Sequence, residues 1–122
     1  MLIEGLYKVN EITQVNSEIT ATISLNPTHD IFNGHFPGNP IMPGVCMMQV
    51  IKELTEEVLK EELFLQKSTN IKFMAKINPE VNPDLLIKIN YAVEDGIVKL
   101  KNSTFFDDTL ALKLSSIYKI VS

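Results

Sequence analysis

The residues best equipped for chemistry lie in the run Gly34-His35-Phe36-Pro37-Gly38-Asn39-Pro40-Ile41-Met42-Pro43-Gly44-Val45. Its histidine stands between two glycines and ahead of three prolines, a composition that forces the backbone into a tight path and aims the imidazole in one direction. Pro43 suits the first position of a helix, where its missing N–H would be unpaired anyway, and Gly44 leaves the next amides open to close approach. The unpaired N–H groups and the positive end of the helix dipole then face whatever His35 faces. An imidazole beside an amide pocket is the minimum equipment for drawing a proton from the carbon next to a carbonyl.

The element that must carry this pocket is a helix expected from about residue 43 to 62. Its first half, 45 to 51, is apolar except for Gln49 and should be surrounded by protein. Its second half sets Leu54, Val58 and Leu63 against Lys52, Glu53, Glu56, Glu57, Lys60, Glu61 and Glu62, and should have one wet face. Upstream, residues 2 to 13 and 18 to 25 read as strands, with a turn at Val15-Asn16-Ser17 and a break over Asn26-Pro27-Thr28-His29-Asp30, where His29 reads as a loop or capping residue. Downstream, strands are expected at 69 to 78, 84 to 93, 97 to 106 and 109 to 121, with Asp95-Gly96 a hairpin signal and Asp107-Asp108 the next reversal. In 71 to 77, Lys72, Met74 and Lys76 should share the face opposite Ile71, Phe73, Ala75 and Ile77. Two strands, a helix dry at its start and four more strands make an α+β domain, an antiparallel sheet wrapped around one long central helix.

The 122 residues, 45% hydrophobic and 21% charged, fit one domain spanning 1–122. No stretch approaches the roughly 18 to 20 apolar residues that span a bilayer, and the first residues lack the pattern of a secretion signal, so a cytoplasmic protein is expected. Cys46 is the single cysteine and lies in an apolar run, which reads as a core thiol. One cysteine and two distant histidines give no metal spacing, and neither a metal nor a cofactor is expected. A formal charge of −4 argues against general nucleic-acid binding, though not against an acidic partner docking on local lysines such as Lys72 and Lys76.

The run from Gly34 to Val45 closely resembles the signature of the hot-dog-fold β-hydroxyacyl-acyl carrier protein dehydratases of type II fatty acid synthesis. A weaker likeness continues through Ile71-Lys72-Phe73-Met74-Ala75-Lys76-Ile77-Asn78-Pro79. The resemblance implies a hot-dog fold and at least a homodimer sharing its active sites, with a higher oligomer of dimers or a heterodimer as alternatives. It implies elimination of water from a 3-hydroxyacyl thioester carried on acyl carrier protein. It makes His35 the base, Gly44 the helix-start amide facing the thioester carbonyl, and Ile41 the residue whose backbone carbonyl orients the imidazole; Phe36 and Val45 join them as substrate contacts.

One position departs from the family. Its second catalytic group is a carboxylate on the helix of the partner chain, fourteen residues after the histidine, and here that residue is Gln49, whose amide cannot donate a proton as an acid at neutral pH. Glu53, one turn later, stands where the family usually has glutamine, so the pair is reversed and Glu53 becomes a candidate for the missing carboxylate; the plainer alternative places Glu53 on a solvated stripe with Glu56 and Lys60. Two other functions stay open: an acyl thioesterase, in which a helix carboxylate activates water, and an inactive or half-active subunit that pairs with a second hot-dog protein or binds acyl carriers.

Overall fold

The computed structural model describes residues 4–32 and 40–121. His35 and Phe36 therefore lie outside the described residues. The elements, in order, are β1 (Tyr7–Val15), β2 (Glu18–Leu25), a 3₁₀ turn (Asp30–Phe32), α1 (Gly44–Leu59), β3 (Glu62–Phe73), β4 (Asp84–Glu94), β5 (Ile97–Phe106) and β6 (Thr109–Val121). The six strands form one sheet in the order β1-β2-β4-β5-β6-β3, with every neighbouring pair antiparallel.

Alternation sets the two faces of the sheet. On β2, Ile19, Ala21, Ile23 and Leu25 are buried while their neighbours point outward, and β4 to β6 repeat the pattern through Ile87, Ile89, Val98, Leu100, Leu112 and Leu114. The inner face receives α1, which contributes Cys46, Met47, Val50, Ile51 and Leu54 to the same core. The single thiol is thus a core side chain, and burial raises its pKa. Asp95 and Gly96, both at positive φ (52° and 75°), close the β4–β5 hairpin at the expected place. His29 caps the 3₁₀ turn, its Nδ1 accepting from the Ile31 N–H at 3.0 Å while Nε2 lies 2.9 Å from the Glu4 carbonyl.

Several boundaries differ from expectation: β1 runs Tyr7–Val15 instead of 2 to 13, and β3 begins at Glu62 instead of 69. The helix ends at Leu59, because Lys60 adopts the left-handed conformation (φ 58°, ψ 38°) and returns its N–H to Glu56 O; strand pairing starts at Glu62, opposite Val121. β3 then ends at Phe73, not at residue 78, since the N–H groups of Met74 and Ala75 both turn to Ala111 O. β3 also breaks register between Leu65 and Lys67 and between Thr69 and Lys72, with Asn70 at positive φ. Lys72 therefore lies on the strand, while Met74 and Lys76 follow its end, and the expected alternation does not run through all three.

Candidate active site

The segment leading into α1 is pinned from below. The Met42 N–H donates to Ile77 O at 2.8 Å, and the Pro43 carbonyl accepts from Cys46 and Met47 at 3.1 and 3.2 Å. Pro43 is extended (φ −64°, ψ 142°) and flanks the helix instead of occupying its first turn, so Gly44 is the first helical residue. A helix leaves its first N–H groups without intrahelical acceptors, and here those belong to Gly44 and Val45.

These amides open beside a cavity of about 570 Å³, lined by Ile41, Pro43, Gly44 and Met47, by Phe73, the last residue of β3, and by the segment after it to Ile77. Its walls are mostly carbon, with Lys76 the charged residue among them. The Phe73 ring lies where a Cβ at position 44 would stand, so a larger residue there would push that exposed ring aside. Met47 is buried and Phe73 is 59% exposed, so the cavity runs from core to surface. Val45 is 72% exposed beside it, and Ile41 is half-buried in its wall. A helix-start amide at an apolar channel can hold an oxyanion while an acyl chain occupies the carbon-lined space.

Gln49 and Glu53 are brought together one turn apart, Gln49 Nε2 donating to Glu53 Oε2 at 2.8 Å. Glu53 is not on the solvated stripe: it is only 8% exposed, whereas Glu57 on the same helix is exposed. Its other oxygen accepts from the Tyr7 hydroxyl at 2.8 Å. Burial, then the hydrogen bond to Glu53 and its charge, then Glu57, keep the Tyr7 phenol protonated well above the usual tyrosine range. Tyr7 was not legible as a site residue, since it opens a strand 46 positions from Glu53. Among the described residues, no group of three His, Cys, Asp or Glu side chains is arranged to hold a metal ion.

The sequence model of the ApeI-like family, the ApeI dehydratases, matches residues 11–109, most of the chain. The chain belongs to the ApeI-like dehydratase family. Among curated relatives, the 3-hydroxyacyl-[acyl-carrier-protein] dehydratase FabZ of Lactobacillus helveticus is 30% identical over 110 residues, which cover 85% of this chain and 74% of that one. FabZ of Lactococcus lactis is 33% identical over 88 residues, covering 70% of this chain and 57% of the relative. Among solved structures, the dehydratase heterocomplex ApeI:P from Xenorhabdus doucetiae superposes with a TM-score of 0.75 at 24% identity, covering 92% of this chain and 96% of that one. A hypothetical thioesterase with coenzyme A from Streptococcus pneumoniae gives 0.67 at 12% identity, covering 95% of this chain and 86% of that one. The sheet and helix described above are thus the hot-dog fold. No helix among the described residues of this ApeI-like protein is long and apolar enough to cross a membrane.

Proposed function

We propose that this ApeI-like protein eliminates water from a 3-hydroxyacyl thioester, carried on an acidic acyl carrier protein, to give the trans-2-enoyl thioester. The observation that carries the reading is the apolar cavity opening at the Gly44 helix start, directly after a loop with the dehydratase signature. His35 takes the C2 proton, and the helix-start N–H groups of Gly44 and Val45 hold the charge that develops on the thioester oxygen. The C3–O bond then breaks, and the imidazolium returns its proton to the departing hydroxyl, so one water leaves and no external acid is consumed. Gln49 holds that hydroxyl, and Glu53 enters through Gln49. Ile41 and Phe36 complete the substrate contacts.

The working unit in this reading is a dimer. β3 is an edge strand bearing Phe64 (63% exposed), Ile71 and Phe73, and an apolar edge of that kind is a pairing site. A second copy of the chain is the first candidate for the partner. The amide at Gln49 favours one alternative: a second hot-dog subunit supplies the carboxylate, as the heterocomplex among the structural neighbours suggests.

The test follows a purified protein acting on a 3-hydroxyacyl carrier thioester, measuring enoyl product against released free acid. The expected result is water loss without thioester cleavage, and a fall of roughly 100-fold or more in kcat for His35→Ala, the size of a general base. Free acid as the product would instead indicate a thioesterase. An inert homodimer that gains activity with a second hot-dog protein would identify the half-site subunit.

A further inference from the structure

The face of α1 that opens on the cavity starts at Gly44, reaches Met47 three residues on, and continues into Ile51. Gly44 and Met47 line the cavity while Ile51 is sealed in the core at 0% exposure, so along this face the open space stops at Met47. Side chains on a helix lean toward its N-terminus, which carries the methionine back over the turn that begins at Gly44. The cavity has two other buried wall residues, Met42 and Ile77, and these are tied to each other by the hydrogen bond from the Met42 N–H to Ile77 O. Met47 is the least exposed of the three, at 1%, whereas Phe73 stands at the outer end. None of the three inner residues carries a polar side chain.

We infer that Met47 sets the acyl length this protein accepts: the chain of a thioester held at the Gly44 helix start runs inward along the first turn of α1 until its far end meets the Met47 side chain. The inference rests on the dehydratase reading above and adds the substrate class to it. The chain is one of bounded length, because passing Met47 would mean displacing the packed core at Ile51. Its far end is hydrocarbon, because a hydroxyl or carboxyl brought against Met42, Met47 and Ile77 would leave water and find no side-chain partner. Methionine is unbranched and turns easily, so the stop fits a saturated or an unsaturated chain end equally well.

The experiment measures kcat/KM for water elimination from 3-hydroxyacyl thioesters of increasing chain length on one carrier, with wild type, Met47→Ala and Met47→Phe. Unreactive acyl thioethers of the same lengths are titrated in parallel for Kd. While the chain still fills open space, each added methylene should raise kcat/KM about fourfold, and the rise should stop at the length that meets Met47. Met47→Ala removes every heavy atom beyond Cβ and should move that stop to chains roughly three carbons longer, whereas Met47→Phe should move it to shorter ones. A terminal hydroxyl on the longest chain that fits should lower kcat/KM of wild type roughly tenfold or more. A stop at the same length in all three proteins, with at most one common loss at every length, would overturn the inference and leave Met47 a packing residue. So would a hydroxyl-ended chain accepted as well as its hydrocarbon counterpart. If Met47→Ala does not fold, as thermal unfolding shows, Met47→Leu takes its place, close in volume and one atom shorter, with an expected shift of about one carbon. If wild type eliminates no water at any length, the dehydratase reading fails instead, and the thioether Kd series still decides whether the stop moves with Met47.

Discussion

The Tyr7 phenol is half-buried at the start of β1, with Glu53 in contact and Glu57 adding to the negative field. Burial is the largest reason its pKa rises, and an acid whose folded pKa lies above its unfolded value of about 10 makes stability depend on pH in a fixed sense. Its contribution is fully present below pH about 10 and is lost as pH rises from there toward the folded pKa, because the unfolded chain gives up its phenolic proton first. Tyr118 is raised in the same direction by burial, against the opposing hydrogen bond from Ser116. Urea unfolding between about pH 8 and 11 should therefore show wild type losing stability more steeply than Tyr7→Phe above pH about 10, with the Tyr118 share of the loss common to both. Parallel curves would mean that the Tyr7 phenol ionises alike in folded and unfolded chains. The same residue shows where function and packing part: a phenylalanine fills the volume of Tyr7, and only the hydrogen bond to Glu53 is missing.

At the end of α1 the chain places a lysine in a conformation that favours glycine. Lys60 caps the helix at φ 58° and ψ 38°, its N–H bonded to Glu56 O at 2.9 Å, while the Glu56 carboxylate accepts from the Leu63 N–H at 2.8 Å. A left-handed residue with a Cβ costs about 1 kcal/mol or more relative to glycine, so Lys60→Gly should stabilise the protein by up to about 1 kcal/mol and raise Tm by a few degrees, measured by calorimetry. An unchanged or lower Tm would show that Lys60 is held by something other than backbone preference. This cap also explains what the sequence hid. Glu56, Glu57, Lys60, Glu61 and Glu62 have good helix propensity and no glycine or proline marks a stop, so propensity alone carries the helix to residue 62. Long-range pairing of Glu62–Leu65 with β6 overrides it. Strands with clean alternation and explicit turns, β2, β5 and β6, were legible to the residue, whereas β3 was not, because two register breaks scramble its period. In the site, the Gly44 helix start was legible because proline and glycine punctuate it. The Glu53 environment was not, since its partner Tyr7 comes from a strand 46 residues earlier and no local pattern encodes that contact.

On the scale of the molecule, lysines collect in the central rows of the outer sheet face. Across the outer side of the sheet, Lys88, Ser103, Lys113 and Lys72 stand in register on β4, β5, β6 and β3; the next rows contain Lys101 with Asn90 and Ser115, then Lys99 with Lys67 two strands away. Six of the chain's eleven basic residues lie in these rows although its net charge is −4, and the carboxylate that joins them is Glu18, on β2 at the end of the Asn90 row. Lys72 and Lys113 face each other directly, a like-charge pair that weakens a sheet and is offset when an anion covers it. A depression of about 410 Å³ runs among Lys72, Lys101 and Lys113 and reaches Met74, which also lines the apolar cavity beside Gly44. An acidic carrier seated on these lysines would therefore have its thioester at the cavity mouth, and the attraction would act mainly on encounter, not on the chemical step. The double reversal Lys72→Glu with Lys113→Glu should raise KM for a carrier-bound substrate roughly tenfold at low salt while leaving kcat near wild type. The wild-type advantage should shrink as salt rises past about 0.1 M, where screening acts over roughly 10 Å. A short pantetheine thioester, which has no acidic protein to dock, should show the same KM with both proteins. If that small substrate suffers as much as the carrier does, the lysines act on the cavity itself and the outer face is not where the carrier sits.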